Sequence, residues 1–221
     1  MDGGFVIFAI YIIILLFSVV LHEVAHGAVA GSLGDPTARL LGRLTLNPLK
    51  HLDPIGSVFV PVVTSLLGVP FGWAKPVPYN PHNLRNKRWG EALVGFAGPG
   101  TNIFLALVFG ITLRIMPADM LVDPKFELGV FVLGAIVMVN LLLAIFNLVP
   151  IPPLDGSKLL FTFFNLPYST RIFLEQYGFV FLLFFLFFGF QLIFPIISAA
   201  FVLIVGGDAF QVLNVIFRLS G

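Results

Sequence analysis

The sequence contains no cysteine, which excludes disulfide bonds and thiolate metal ligands. Charged residues are also scarce. They make up 10% of the chain, and 12 Lys and Arg against 11 Asp and Glu leave a net charge of +1. A chain this close to neutral offers no basic surface, so we expect no nucleic-acid partner. Any bound metal ion must be held by histidine and carboxylate side chains.

Apolar residues, by contrast, are abundant. They account for 58% of the sequence, 26 residues are Phe, and the mean hydropathy is +1.04. A soluble core does not need so many, so the composition predicts an all-α polytopic membrane protein with about four to five transmembrane helices. Five apolar stretches follow one another, at 5–31, 55–69, 89–116, 128–149 and 177–206.

The second stretch, 55–69, is unlike an ordinary span. It is short and contains Gly56 and Pro61. Both features oppose a spanning helix, so we expect a re-entrant or β-hairpin element at about 55–80.

The last apolar stretch, 177–206, carries Pro195 in its interior. It is either one long kinked span or two short spans divided near 191–195. Polar residues recur at helical spacing beyond it and predict a short interfacial helix at 208–219. We therefore expect a single membrane-embedded domain over 1–221, with a core at 5–165, Phe-rich spans at 177–206 and an interfacial tail at 208–221.

Charge differs between the loops. Loops 32–53 and 71–88 are basic, whereas loop 117–127 is acidic. The positive-inside rule places both basic loops in the cytoplasm and the acidic loop outside, which requires that 55–69 does not cross. The N-terminus is then outside. The first stretch lacks a basic flank and a small-residue cleavage site, so we interpret it as a retained helix and not as a signal peptide.

A metal-binding pattern, His22-Glu23-Val24-Ala25-His26, ends the first apolar stretch. Residues four apart lie on one face of a helix, so the two imidazoles can bind one metal ion while Glu23 acts as a base. The alternative is two hydrogen-bonded histidines on a buried helix. Ionisable residues at membrane depth are costly and usually mark function, which favours a metal site near the cytoplasmic face.

A third ligand is needed, because catalytic zinc usually has three protein ligands and one water. Asp155 follows a span that ends on the cytoplasmic side, and the predicted topology places it level with His26. The prolines before it favour a non-helical segment lining a cavity, whereas an Asp-Gly turn is the simpler alternative. Other candidates lie in or beside the basic loops: Glu91, Asp35, Asp53 and His51.

These residues resemble the site-2 protease family of intramembrane zinc metalloproteases. The resemblance rests on His-Glu-x-x-His at 22–26, Gly-x-x-x-Asn at 98–102, and Asn-x-x-Pro-x-Pro-x-Leu-Asp-Gly at 147–156. The stretch 71–81 also looks like the loop before the second motif in compact prokaryotic members. The likeness covers residues 5 to about 165. Larger relatives have a PDZ or CBS domain, and no segment here is long and polar enough for either.

The resemblance implies roles for single residues. One catalytic Zn2+ would be bound by His22, His26 and Asp155, and Glu23 would activate the water. Asn102 would donate to the oxyanion or hold the substrate backbone, with an interhelical hydrogen bond as the alternative. Packing or support of Asp155 is expected for Asn140 and Asn147, and loop positions for His51 and His82.

The expected activity is hydrolysis of peptide bonds in or near transmembrane segments, as in regulated intramembrane proteolysis in a prokaryotic cell membrane. Access of substrate would then be controlled by the membrane domain or by a regulatory membrane partner. A free edge in the 55–80 element would let an unwound substrate pair as an extra strand. The rival prediction is an ion or proton transporter that uses the same His, Glu and Asp cluster, although neither motif occurs twice, as two related halves would require.

Overall fold

The computed structural model describes residues 3–53, 56, 59, 60 and 74–220. Helices dominate these residues, and no β-strand occurs among them, which confirms the all-α class. Of the expected 55–80 element, residues 55, 57, 58 and 61–73 lie outside the described ranges, and 74–80 are neither helix nor strand. The helices are α1 (Gly3–Ser32), α2 (Thr37–Leu40), α3 (Trp89–Ile115), α4 (Ala118–Val122), α5 (Glu127–Asn147), α6 (Gly156–Phe164), α7 (Tyr168–Phe184), α8 (Phe190–Val205) and α9 (Gly207–Ser220).

Four helical segments in the described residues are long and apolar enough to cross a membrane. They are Gly4–Ser32, Trp89–Ile115, Glu127–Asn147 and Tyr168–Gly189, so the expected number of about four to five is confirmed. Many large apolar side chains on these helices are exposed in the isolated chain. Lipid covers such surfaces, and the chain is an integral membrane protein.

The end of α1 and the beginning of α3 lie together. The backbone N–H of Arg85 donates to the carbonyl of Leu33 at 2.9 Å, and the carboxylate of Asp35 accepts from the backbone of Asn80 at 2.7 Å. The two basic loops therefore lie at the same end of the helix bundle. That shared end is what the positive-inside argument requires.

The core lies where α3 and α5 pack against α1, α8 and α9. Small residues allow close approach of the helices: Ala106 of α3 and Ala135 of α5 are fully buried, and a Cβ on Gly134 would lie 2.5 Å from Leu213 of α9. Close packing at small residues is typical of membrane helices, which lack a hydrophobic driving force between them.

The C-terminal part divides earlier than the sequence predicts. Pro195 lies inside α8, and the irregular segment is the π-helical turn Phe185–Gly189 between α7 and α8. The ring of Phe185 lies against Gly189, where a side chain would collide with it. Helix α7 also begins earlier than expected, at Tyr168 and not at the start of the apolar stretch at 177. Its first turns carry Arg171 and Glu175, which are four residues apart and form an ion pair at 3.1 Å that stabilises the helix.

The predicted helix at 208–219 is present as α9. Its Ala209 and Leu213 are buried against the bundle. A position of α9 in the membrane interface stays a prediction.

Candidate metal centre

Three buried side chains from two distant parts of the chain converge near the C-terminal end of α1, where α1 faces α3. The Nε2 atoms of His22 and His26 are 3.1 Å apart, and each lies 3.1 Å from Oδ2 of Asp155. All three residues are less than 9% exposed. In the described part of the chain, these are the side chains that come together as a group able to hold a metal ion.

The other ring nitrogens determine what the Nε2 atoms can do. Nδ1 of His26 lies 2.6 Å from the carbonyl oxygen of Val94, which can only accept, so Nδ1 carries the proton. Nδ1 of His22 lies 2.5 Å from Oδ1 of Asn102. Both Nε2 atoms then direct lone pairs towards each other and towards a carboxylate oxygen. A positive charge between them, supplied by a metal ion or by a proton on an imidazole, makes that arrangement favourable.

The spacing of the three atoms suits zinc. Nitrogen ligands bind Zn2+ at about 2.0–2.1 Å in tetrahedral geometry, which separates neighbouring ligand atoms by about 3.3 Å. The observed separations of 3.1 Å lie close to this value. Two imidazoles and one carboxylate also form a donor set typical of catalytic zinc. The residues therefore fit the ion.

Helix α3 supports the two histidines along one stripe. Val94, Gly98 and Asn102 are spaced by four residues, so they lie on one face. Val94 and Asn102 bind the Nδ1 atoms of His26 and His22, and a Cβ on Gly98 between them would lie 2.5 Å from Nε2 of His22 and even closer to Nε2 of His26. Helix α3 can approach the site only because residue 98 is glycine.

Asn102 is fully buried, and its amide is used twice. Its Oδ1 accepts from His22, while its Nδ2 donates to Oδ1 of Asn140 at 2.8 Å. Asn140 in turn donates to Oγ of Ser18 at 3.0 Å. This chain of side chains fixes the ring of His22. The predicted oxyanion or substrate-holding role of Asn102 stays a prediction, and Asn140 supports Asn102 and not Asp155.

Asp155 is placed by the segment that links α5 to α6. Its Oδ2 faces the imidazoles, while its Oδ1 accepts from Nζ of Lys158 at 2.9 Å. The backbone of Gly95 on α3 makes room for this lysine, since a Cβ there would lie 3.0 Å from two carbons of its stem. One carboxylate oxygen is thus held by a cation, and the other is left for the site.

Glu23 is half-buried beside the histidines, and its Oε2 accepts from the backbone N–H of Val77 at 2.8 Å. No other hydrogen bond to its carboxylate is formed by the residues that the structure describes. One oxygen of the predicted base is therefore held by the backbone, and the other accepts no hydrogen bond from the described residues.

The remaining candidates lie elsewhere. The buried carboxylate of Asp35 accepts hydrogen bonds from the side chains of Thr37 and Asn83, and Glu91 forms an ion pair with Arg171. Nε2 of His51 donates to the carbonyl of Thr45 at 2.9 Å. The other three do not join the site either: Asp53 caps the N–H of Gly56, His82 is exposed, and Asn147 bonds to the carbonyl of Leu143 in its own helix.

Several contact residues were not predicted from the sequence. They are Ser18, Val77, Val94, Gly95 and Lys158, which act through backbone groups, hydrogen bonds or the absence of a side chain. A glycine at 98, four residues before Asn102, was the signal available for the close approach of α3.

Comparison with known proteins identifies similar sequences. Peptidase family M50 matches residues 125–186, which include Asp155 and the prolines before it. YwhC of Bacillus subtilis (strain 168) is 41% identical over 151 residues, which are 67% of this chain and 66% of YwhC. Rip2 of Mycolicibacterium smegmatis is 34% identical over 171 residues, which are 75% of this chain and 61% of Rip2.

A third relative comes from an archaeon. MJ0392 of Methanocaldococcus jannaschii is 28% identical over 171 residues, which are 76% of this chain and 39% of MJ0392. All three are named as zinc metalloproteases, the first two provisionally. The chain spans somewhat less than two thirds of the length of the first two relatives. No solved structure matches the chain.

Proposed function

The chain belongs to peptidase family M50, and on this premise we propose that it is a zinc endopeptidase that hydrolyses peptide bonds in or near transmembrane segments of other membrane proteins. The observation that carries the proposal is the convergence of two imidazole lone pairs and a carboxylate oxygen at 3.1 Å. Such a donor set favours a bound positive charge. Two histidines and one carboxylate also form a ligand set that suits catalytic zinc.

Each side chain has a definite task in this proposal. His22, His26 and Asp155 would hold a zinc ion, and the ion would supply an activated water and polarise the scissile carbonyl. Glu23 would take the proton from the attacking water through the oxygen that Val77 does not bind and pass it to the leaving amine. Asn102 keeps the ring of His22 in place, and Lys158 keeps Asp155 oriented with one oxygen towards the site.

The depth of the site supports a substrate within the bilayer. His22 lies nineteen residues after the first residue of α1, a rise of about 29 Å, and the hydrocarbon core is about 30 Å thick. The site is therefore close to the membrane face at which α1 ends. Basic residues follow α1 and precede α3 at this end, so we place it on the cytoplasmic side.

The test is cleavage of a model transmembrane peptide by the purified, zinc-loaded protein in lipid nanodiscs. We expect cleavage that stops with a chelator and returns with zinc. Glu23→Gln should abolish it, at least about 100-fold, with zinc content unchanged, because the base moves protons and is not a ligand. Asp155→Ala should lose both zinc and cleavage, whereas Asp119→Ala, a control at an exposed position in the short helix α4, should lose neither.

Two outcomes would refute this proposal. Full zinc occupancy in Asp155→Ala would remove that carboxylate from the ligand set. Ion flux through the wild-type protein without cleavage of any peptide would favour the transporter.

A further inference from the structure

Residues 74–80, which we name the strap, pass across the cytoplasmic end of α1 beside Glu23. The strap is neither helix nor strand, and its Val77 is 5% exposed. Gly27 follows the metal-binding pattern on α1, and a Cβ there would lie 2.7 Å from a methyl group of Val77. The strap can therefore reach Glu23 only because α1 has no side chain at this position.

The strap is anchored at both ends by groups other than Glu23. At one end, the N–H of Lys75 donates to the carbonyl of His51 at 2.8 Å, and the guanidinium of Arg43 donates to the carbonyl of Lys75 at 2.9 Å. At the other end, the N–H of Asn80 donates to the buried carboxylate of Asp35 at 2.7 Å. The position of the strap is thus fixed independently of the base.

The prolines of the strap leave few backbone donors near the site. Pro76 and Pro78 have no N–H, so Val77 supplies the one amide between them. Proline also fixes its own φ and favours extended backbone in the residue before it, so this amide is held in a defined direction. It donates to Oε2 of Glu23 at 2.8 Å.

We propose that the strap is a positioning element of the peptidase, in which the N–H of Val77 fixes one oxygen of Glu23 so that the other faces the metal centre. This inference rests on the proposed function. A free glutamate side chain rotates about three bonds, and an oriented donor removes most of that freedom. The strap also contacts the side of the site where Asp155 lies, because the ammonium of Lys158, which binds Asp155, lies 5.3 Å from the centre of the Tyr79 ring.

The contact itself can be tested without any cleavage. Hydrogen exchange of the Val77 amide is measured by NMR in zinc-loaded protein labelled with [15N]valine and [15N]lysine. We expect slow exchange in the wild type and in Glu23→Gln, whose amide oxygen still accepts, and about tenfold faster exchange in Glu23→Ala, which is roughly the effect of one lost hydrogen bond. The Lys75 amide, bound to His51, is the internal control. Equal Val77 rates in all three proteins would overturn the proposal.

The consequence for catalysis is tested by a matched pair. Val77→Pro removes the N–H between the two existing prolines, whereas Val77→Ala keeps the N–H and shortens the side chain. Relative to Val77→Ala, we expect Val77→Pro to lower kcat about 10- to 100-fold with equal KM and zinc content, as for other partners that orient a functional group. A general loss of structure would change KM and zinc content as well.

Each failure has a separate meaning. Equal kcat in the two variants would overturn the positioning role, and a higher kcat in Val77→Pro would make the strap an inhibitory cover instead. If Val77→Pro does not fold, the exchange experiment remains as the test, and equal Val77 exchange rates in the wild type and in Glu23→Ala would refute the inference. If the wild type cleaves nothing, the proposed function fails, while the exchange experiment still decides whether the strap holds Glu23.

Discussion

Replacing Gly98 by alanine should damage the metal centre without removing any ligand. The added Cβ would lie 2.5 Å from Nε2 of His22 and closer still to Nε2 of His26. Ordinary contact between such atoms is about 3.5 Å, so α3 and the imidazoles must separate by about 1 Å. The rings cannot simply turn away, since Asn102 and the carbonyl of Val94 hold their Nδ1 atoms.

The size of the effect follows from the tolerance of metal coordination. Ligand distances in zinc sites vary by only about 0.2 Å, several times less than the displacement that Gly98→Ala imposes. Loss of a group that merely orients a ligand lowers metal affinity about 10- to 100-fold. We therefore expect Gly98→Ala to weaken zinc binding by at least about 100-fold, which equals about 2.7 kcal/mol.

Zinc affinity is measured by equilibrium dialysis against a chelator, and the geometry of the site by the visible absorption of bound Co2+. Gly100→Ala is the control, because it makes the same change two residues later in α3 and meets only the ring of Phe96, at 3.1 Å. Alanine favours the helix over glycine in both variants, by about 1 kcal/mol. Wild-type zinc affinity in Gly98→Ala would show that the Nε2 atoms do not converge beneath α3.

Three further predictions concern the surroundings of the site. Asn102→Ala should weaken zinc binding about 10- to 100-fold, and Asn102→Asp should weaken it less, because a carboxylate still accepts from His22. A fall in kcat at unchanged zinc affinity would instead support an oxyanion role. Single cysteines replacing Lys50 and Lys87 should be labelled from the cytoplasmic side and one replacing Asp119 from outside, and opposite labelling of the first two would contradict the topology. Burial raises the pKa of Asp35, but hydrogen bonds from Thr37, Asn83 and the backbone outweigh it and lower the pKa, so its contribution to stability is present at neutral pH and lost on acidification. When chemical unfolding is measured from about pH 5 down to about pH 2, the wild type should lose more stability than Asp35→Asn, because a lowered pKa withdraws its contribution only at and below the usual Asp range; parallel curves would refute this.

The sequence predicted which side chains meet, but not how they are held. His22 and His26 could be paired from helical spacing, and Asp155 could be added from topology and the need for a third ligand. Lys158 and Val77 could not be found in this way. Their contacts depend on where the linker after α5 and the strap lie across the helices, and no periodicity in the sequence records that.

The helix boundaries show a similar division. The apolar runs located the membrane spans, because a helix in contact with lipid needs apolar side chains. Since these helices are apolar on every face, the sequence did not show which face of each helix is buried. The beginning of α7 at Tyr168 was missed because Arg171 and Glu175 interrupt the apolar pattern there. Pro195 was a misleading signal, since a proline within a membrane helix need not end it.

The spacing of the second motif has a physical reason in the packing of α1 against α3. Along α1, His22 and His26 are one turn apart; along α3, Val94 contacts His26 and Asn102 contacts His22, with Gly98 between them. Rising residue numbers on one helix meet falling numbers on the other, so the helices are antiparallel. Gly-x-x-x-Asn on α3 therefore matches the spacing of the two histidines on α1. Gly98 leaves room for the Nε2 atoms of both histidines, and Asn102, one turn later, binds Nδ1 of His22. The same antiparallel pairing places the end of α1 and the start of α3 on one side of the membrane, so a single helix contact accounts for both the metal centre and the shared side of the basic loops.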